Sequence, residues 1–237
     1  MAAPEVSVRD VNYPGKACTL KAYVAEPAHG GHQHPAVIVV QEWWGLDEHI
    51  KDVARRLAAE HYFAIAPDLY SRQGNKVTKD ANLAGELMSG LKPGDGLDDL
   101  LSTIDWLKAQ GSVRASDIGV IGFCMGGSYA IALPGVSRDI KAAAPFYGEI
   151  PPDEKLRNLN CPVFYAYGEN DGWIQRQDVE RLTGALKKFN QPGEVKVYRG
   201  CSHGFFNDTR ADVYSAQDAR DAWERTLGLF EQNLKHR

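Results

Sequence analysis

The 237-residue sequence predicts an α/β protein whose mostly parallel, doubly wound sheet carries helices on both faces. Short apolar runs alternate along the chain with segments of helical periodicity, which is typical of parallel strands joined by helices. A glycine-rich turn follows one apolar run, and polar residues follow two others, at positions that become the carboxyl edge of such a sheet. No repeat or linker interrupts the pattern, so we expect a single domain over residues 1–237.

The elements of the first half follow from periodicity and capping residues. Alternating residues predict an edge hairpin, and a continuous apolar run predicts a strand buried on both faces. Asp47 is the expected cap of the helix after that strand. The expected elements are strands over 5–11, 19–25, 35–40 and 63–67 and helices over 48–60, 79–88 and 97–110. Residues 71–96 are polar and interrupted by glycines, and we expect them to cover a pocket.

The second half continues the alternation. Apolar runs predict strands, and segments with apolar residues at helical spacing predict the helices between them. The expected strands are 118–121, 140–146, 163–168 and 195–198, and the expected helices run from Ser128 to Leu133, over 177–189 and over 211–234.

Composition excludes several function classes. The chain is 43% hydrophobic and 24% charged, which is ordinary for a globular protein, and its net charge of −4 gives no reason to expect a nucleic-acid or membrane partner. No apolar run is long enough to span a membrane, and the N-terminus lacks the pattern of an export signal, so the expected location is cytoplasmic. The sequence does not indicate an oligomeric state.

Metals and cofactors are not expected. The histidine-rich stretch 29–34 contains flexible glycines and no acidic neighbour, which is typical of a solvated loop. The four cysteines lie far apart and form no C-x-x-C pair, which argues against a zinc ribbon and favours neither a metal site nor a disulfide framework: Cys18, Cys124, Cys161 and Cys201.

The turn around Cys124 has the pattern of a nucleophile elbow. An apolar run leads into Gly122-Phe-Cys-Met-Gly-Gly127, and a helix-like segment follows from Ser128. A strand that turns sharply into a helix strains the middle residue and needs small neighbours. Cys124 would then lie at the positive end of a helix dipole, which favours its thiolate. The alternative is a glycine-rich turn with an inert, packed cysteine.

Two other loops supply the partners that a nucleophile needs. Asp171 follows the strand over 163–168, and His203 follows the strand over 195–198. Nucleophile, acid and histidine therefore occur in the chain order of an α/β-hydrolase triad. A lone aspartate or histidine after a strand is usually a turn residue, but the agreement of all three favours catalysis.

The chain resembles the dienelactone hydrolase (carboxymethylenebutenolidase) family from residue 35 to the C-terminal helix. The resemblance rests on Gln41-Glu42 with the aromatics and Gly45 that follow, on residues 67–70, on the Cys124 elbow, on residues 168–171 and on His203-Gly-Phe. It implies an α/β-hydrolase fold and the hydrolysis of a small ester or lactone through a thioester. Cysteine at the elbow is the most specific of these features, because most α/β-hydrolases use serine.

The resemblance also implies roles for residues outside the triad. The N–H groups of Met125 and Trp43 would hold the oxyanion. Glu42 matches a family glutamate that accepts the thiol proton in the resting enzyme, and a carboxylate there would keep Cys124 protonated until substrate binds. The alternative is that Glu42 only binds backbone donors in its loop.

Aromatic residues are expected to line the substrate pocket, although tryptophans of this size also suit a core. The expected substrate-binding residues are Trp44, Tyr70, Trp173, Phe205 and Asn207.

The sequence departs from the family at the substrate carboxylate. Family members hold it with an arginine four residues after the catalytic histidine and another in the covering segment. Here the first position is Asn207, with Arg210 downstream, and the covering segment offers Arg72, Lys76 and Lys79. A lysine does not replace a bidentate arginine, so another ester or lactone than dienelactone is a suitable substrate.

Three hypotheses remain open at this stage. The first is a Cys-His-Asp ester or lactone hydrolase, with a broad short-chain carboxylesterase as its variant. The second is a non-catalytic binding protein on the same fold, which the fold alone never excludes. The third is a redox sensor that uses Cys124 or Cys201, the latter as a resolving thiol.

Overall fold

The computed structural model of the protein describes residues 5–28 and 32–235, in which strands and helices alternate. The strands are β1 (Val6–Pro14), β2 (Thr19–Pro27), β3 (His34–Val40), β4 (Phe63–Pro67), β5 (Val113–Phe123), β6 (Ile140–Phe146), β7 (Val163–Gly168) and β8 (Gly193–Tyr198). The α-helices are α1 (Glu48–Ala59), α2 (Ala81–Gly90), α3 (Pro93–Lys108), α4 (Met125–Ala132), α5 (Asp153–Leu156), α6 (Arg176–Lys188) and α7 (Ala216–Phe230). Short 3₁₀ turns cover Ser71–Gln73 and Leu133–Gly135, and a π-helix covers Glu231–Lys235.

In the described part of the chain the strands form an eight-stranded sheet in the order β1-β2-β4-β3-β5-β6-β7-β8. β1 pairs antiparallel with β2, with Val6 opposite Pro27, and β2 pairs antiparallel with β4. The pairs β3–β4, β6–β7 and β7–β8 are parallel. The strand order changes direction after β4, as in doubly wound sheets. The predicted α/β class with a mostly parallel sheet is therefore confirmed.

The chain contains two compact units, Met1–Gly119 and Val120–Arg237. In the first, β3 and β4 are buried almost throughout, as their continuous apolar runs predicted. Helix α1 packs on β2 and β4 through Ile50, Val53 and Leu57, all fully buried. Its cap is Asp47, whose Oδ1 accepts the Ile50 N–H at 3.1 Å.

In the second unit the core is built from aromatic rings on β6, β7 and the loop after β8. Phe146 lies 4.9 Å from Phe123 and 5.1 Å from Phe206, measured between ring centroids. Phe206 also stacks on Phe123 at 5.1 Å. The loop after β8 is thus packed against the end of β5, where Phe123 precedes Cys124.

Several predicted bounds are corrected. α3 begins at Pro93 rather than residue 97, because proline suits the first helical turn, so part of the predicted covering segment is helix. β5 begins at Val113, five residues before the predicted start. α7 begins at Ala216 rather than residue 211, because Tyr214 closes a turn onto Arg210. The short α5 was not predicted, and residues 29–31 of the histidine-rich stretch lie outside the described residues.

Candidate active site

Cys124 occupies the junction of β5 and α4, and its backbone is strained. Its φ is 55° and its ψ −120°, an unusual conformation for a residue with a side chain. Such a conformation costs about 1–3 kcal/mol and persists only where the surroundings impose it. The Cys124 N–H donates to Phe146 O at 3.1 Å, and its carbonyl accepts the Gly127 N–H at 2.9 Å. These contacts hold the thiol-bearing residue at the tip of the turn, where 7% of its surface is exposed.

The glycines around Cys124 are required by close backbone approach. A Cβ at Gly122 would lie 2.1 Å from the Gly126 carbonyl oxygen, and a Cβ at Gly127 would lie 2.3 Å from Phe146 O. Real Cβ atoms do not approach other atoms so closely. The pattern that predicted the elbow is thus explained by the crossing of β5, α4 and β6 within one narrow space.

Asp171 and His203 form an oriented pair in which the carboxylate is buried and the imidazole is partly exposed. The His203 Nδ1 and Asp171 Oδ2 are 2.8 Å apart, and the Asp171 side chain is fully buried. The other oxygen, Asp171 Oδ1, accepts the Trp173 N–H at 2.8 Å and the Ile174 N–H at 2.9 Å. Both carboxylate oxygens are therefore occupied, so the carboxylate cannot rotate and the imidazole ring is fixed against it.

Two aromatic rings pack against the His203 imidazole. Tyr147 lies 4.9 Å away and Trp173 5.4 Å away, both edge to face. The Tyr147 ring also lies 6.3 Å from Phe123, which precedes Cys124. Tyr147 was not predicted as a site residue. Its position directly after β6, at the carboxyl end of a strand, is the signal that would have identified it.

In the first unit, three of the predicted residues follow β3. Glu42 is only 3% exposed, whereas Trp43 and Trp44 are half-buried and lie edge to face with ring centroids 4.9 Å apart. The Gly45 N–H donates to the Glu42 carbonyl at 3.3 Å, so the chain turns immediately after the strand. The aromatic surface of this turn remains partly open to solvent.

Three of the predicted substrate-binding residues are buried and have packing or hydrogen-bonding partners within the protein. Tyr70 is fully buried, and its hydroxyl donates to the Trp43 carbonyl. Phe205 is fully buried against aromatic rings on both sides. Asn207 is 2% exposed, and its Oδ1 accepts the Thr209 N–H and hydroxyl at 3.0 and 2.7 Å. Burial thus leaves Trp44 and Trp173 as the predicted aromatics with open surface.

The arginines that the sequence offered for a substrate carboxylate are paired with other carboxylates. Arg72 forms an ion pair with buried Asp99. The hydrogen bond to Asp99 is the main cause that raises the pKa of the Arg72 guanidinium. Arg210 binds Asp212 with both Nε and Nη2, at 2.9 and 2.6 Å. Each guanidinium is thus already engaged by a carboxylate of this chain.

Cys201 lies two residues before His203, but its thiol is not activated. Burial, together with a hydrogen bond from Sγ to Asp218 Oδ2 at 3.1 Å, raises the pKa of the Cys201 thiol to about 12. A thiol with such a pKa remains protonated at neutral pH and is a weak nucleophile. Among the described residues, no group of three or more histidine, cysteine, aspartate or glutamate side chains is placed to hold a metal ion. No helix in this same part of the chain has the length and apolarity needed to cross a membrane.

The sheet, the strained residue between β5 and α4 and the hydrogen-bonded aspartate–histidine pair define an α/β-hydrolase. The model of the dienelactone hydrolase family matches residues 20–234. The chain therefore belongs to the dienelactone hydrolase family, and it is an enzyme of the carboxylic ester hydrolase class.

Relatives match over almost their whole length. The chain is 34% identical over 233 residues to Protein usf of Aquifex pyrophilus, with 94% of this chain and 98% of that protein covered. It is 35% identical over 240 residues to the "Putative carboxymethylenebutenolidase" of Synechocystis sp., with 95% and 96% covered. A crystal structure named "Putative Dienelactone Hydrolase" from Klebsiella pneumoniae superposes with a TM-score of 0.89 at 34% identity, covering 96% of this chain and 99% of that one.

Proposed function

We propose that this hydrolase cleaves a small ester or lactone with a triad of Cys124, His203 and Asp171, through a thioester acyl-enzyme. The observation that carries the proposal is the 2.8 Å contact between His203 Nδ1 and Asp171 Oδ2, with the carboxylate fixed by two backbone N–H groups. A carboxylate immobilised in this way holds the histidine in one tautomer, with Nε2 available to accept a proton. Cys124, at the strained tip of the elbow, supplies the nucleophile that the pair would activate.

In the proposed mechanism His203 Nε2 accepts the proton of the Cys124 thiol while Sγ attacks the ester carbonyl carbon. The tetrahedral intermediate collapses, the carbon–oxygen bond of the ester breaks, and the imidazolium returns the proton to the leaving oxygen. Water then attacks the thioester with His203 as the base, which releases the acid and restores the thiol. Asp171 remains ionised throughout and stabilises the imidazolium.

The oxyanion of the intermediate would be bound by the backbone N–H groups of Met125 and Trp43. Met125 begins α4, and the first N–H groups of a helix have no acceptor within it and lie at its positive end. Trp43 follows β3 in the turn described above. A pair of fixed backbone donors is the usual means of stabilising such an anion, and loss of one costs about 10²–10³ in turnover.

Glu42 is proposed to restrain the thiol in the resting enzyme. Its side chain is almost fully buried after β3, where a carboxylate needs specific partners. A carboxylate close to Cys124 would disfavour thiolate by like-charge repulsion. This role would keep the nucleophile protonated until substrate is bound.

The proposed substrate is a neutral short ester or lactone rather than a carboxylate-bearing dienelactone. Arg72 and Arg210 are paired with Asp99 and Asp212, and the Asn207 side chain is engaged within its own loop. A substrate carboxylate would therefore have to compete with an existing ion pair in order to bind either arginine. The same observation favours broad short-chain carboxylesterase activity, with Trp44 and Trp173 as apolar contacts and the whole chain as one catalytic domain.

The test is Cys124→Ala measured with p-nitrophenyl acetate, and Cys161→Ala as the matched control. Cys161 is a buried thiol whose pKa burial raises to about 12, so it has no place in the mechanism. We expect Cys124→Ala to abolish turnover with an unchanged melting temperature and the control to remain active. Turnover by folded Cys124→Ala would refute the proposal. A substrate panel, comparing a neutral ester with its carboxylate-bearing analogue, tests the substrate class.

A further inference from the structure

The turn after β3, residues 42–45, is held from one side by the chain that follows β4. The Tyr70 hydroxyl donates a hydrogen bond to the Trp43 carbonyl oxygen at 2.9 Å. Eight residues later the Thr78 N–H donates to the Trp44 carbonyl at 3.0 Å. Two consecutive peptide groups of the turn are therefore fixed by donors from outside it, in addition to the Gly45 N–H bond within it.

Gly45 brings the two segments into direct backbone contact. Its φ is +96°, and a Cβ at this position would lie 2.3 Å from the Lys76 carbonyl oxygen. Only glycine combines this φ with so close an approach. The backbone of the turn after β3 is therefore held in contact with the backbone at Lys76.

The direction of the Trp43 N–H follows from the orientation of its peptide group. The Glu42 carbonyl points into the turn, where it accepts the Gly45 N–H at 3.3 Å. In a trans peptide the carbonyl and the N–H of the same plane point in opposite directions, and no cis peptide occurs in the described residues. The Trp43 N–H therefore points out of the turn, as an anion-binding donor requires.

The Tyr70 hydroxyl is itself held in one place. The Tyr70 side chain is fully buried, and its N–H donates to Asp68 Oδ1 at 2.9 Å. The second oxygen, Asp68 Oδ2, accepts from Asn75 Nδ2 at 2.8 Å. Backbone and ring are both fixed, so the hydrogen bond to the Trp43 carbonyl is a rigid support.

We propose that Tyr70 is a positioning residue for the oxyanion hole: its hydroxyl fixes the peptide group that follows Trp43, and so restrains the backbone torsions of Trp43 that orient its N–H when the tetrahedral intermediate forms. This inference rests on the proposed function, because it presupposes that Trp43 N–H binds the oxyanion. Tyr70 was predicted from the sequence as a substrate contact, whereas in this role its side chain does not touch substrate. The preorganised donor would act in the transition state and contribute little to ground-state binding.

The test is Tyr70→Phe, which keeps the ring and removes the hydroxyl. We expect the single-turnover rate of p-nitrophenol release from p-nitrophenyl acetate to fall about tenfold, with KM changed less than twofold, since a lost hydrogen bond is a modest effect and the N–H itself remains. The rate of Cys124 alkylation by iodoacetamide should not change, because that reaction forms no oxyanion. Asn75→Gly, which keeps the positive φ of residue 75 and removes the support of Asp68, should lower the acylation rate less, by about threefold.

Tyr13→Phe is the matched control. The Tyr13 hydroxyl is buried and hydrogen-bonded to Thr103 Oγ1 at 2.7 Å, so the control removes a comparable contact elsewhere in the first unit. The control should lose stability without losing acylation rate. An unchanged acylation rate in folded Tyr70→Phe, or a fall in alkylation parallel to it, would overturn the role of Tyr70. If Tyr70→Phe does not fold, an unchanged rate in Asn75→Gly has the same meaning. Failure of the proposed function is recognised separately, by turnover in Cys124→Ala.

Discussion

Asp171→Asn is expected to abolish most of the turnover while leaving the fold intact, for a reason visible in the hydrogen bonds. The Asp171 Oδ1 accepts two backbone N–H groups, from Trp173 and Ile174, at 2.8 and 2.9 Å. An asparagine keeps both bonds only if its oxygen takes the place of Oδ1. Its NH₂ group then replaces Oδ2 and faces His203 Nδ1, at the present distance of 2.8 Å.

The consequence is a change of tautomer. Nδ1 must now accept a hydrogen bond, so the imidazole proton moves to Nε2, which can no longer accept the proton of Cys124. The opposite rotamer of asparagine would place its NH₂ against two N–H donors and lose both bonds, at about 1–3 kcal/mol for each group left unsatisfied. In serine proteases the same substitution lowers turnover about 10⁴-fold, which corresponds to about 5.5 kcal/mol of activation free energy.

The assay is steady-state hydrolysis of p-nitrophenyl acetate, with thermal melting of the same preparations. Asp221→Asn is the matched control. Asp221 lies on α7, accepts hydrogen bonds from Tyr198 and Arg225, and has no place in the mechanism. We expect the control to retain its turnover. Turnover of Asp171→Asn within tenfold of the unmodified enzyme, in protein with an unchanged melting temperature, would refute the orientation of His203 by this carboxylate.

Three further outcomes follow from the same structure. Glu42→Gln should shift the alkylation of Cys124 by iodoacetamide to lower pH and speed the oxidative inactivation of the enzyme, because loss of a negative charge close to the thiol favours thiolate. An unchanged pH profile of alkylation in an equally stable variant would remove Glu42 from the mechanism. Cys201 should stay unalkylated below about pH 10 in peptide mass spectra, because the pKa of its thiol is raised to about 12, and early modification would show that it is not shielded. Gly122→Ala should lower Tm by about 5 °C or more, since its Cβ meets the backbone of α4, whereas Gly184→Ala on α6, where nothing lies within 4 Å, should not lower it.

The fold class could be predicted because its signals are local. The continuous apolar runs that became β3 and β4 are buried as expected, and the periodic segment after Asp47 is α1. The first residues of the helices were harder to predict from the sequence. The turn that delays α7 depends on hydrogen bonds of Tyr214 and Val213 to Arg210 and of Ser215 to Phe205, and a sequence pattern does not display such contacts.

In the candidate site, too, some features could be predicted from the sequence and others could not. Cys124, Asp171 and His203 could be predicted as catalytic because each follows a strand and has a glycine within the next two residues. Tyr70 and Phe205 were expected to contact substrate because they are aromatic and close to strand ends, but burial of a side chain depends on what packs over it. Their packing, and the use of the Tyr70 hydroxyl as a support, required the three-dimensional structure.

The central claim, that hydrolysis proceeds through a thioester on Cys124, is tested most directly by trapping the intermediate. The enzyme would be mixed with p-nitrophenyl acetate, quenched in acid within the first turnover and digested for mass spectrometry. We expect an acetyl group on the peptide that contains Cys124, which hydroxylamine removes, and none on the corresponding peptide of His203→Ala. An acetyl group on another residue, or a burst of product with Cys124 unmodified, would contradict the mechanism.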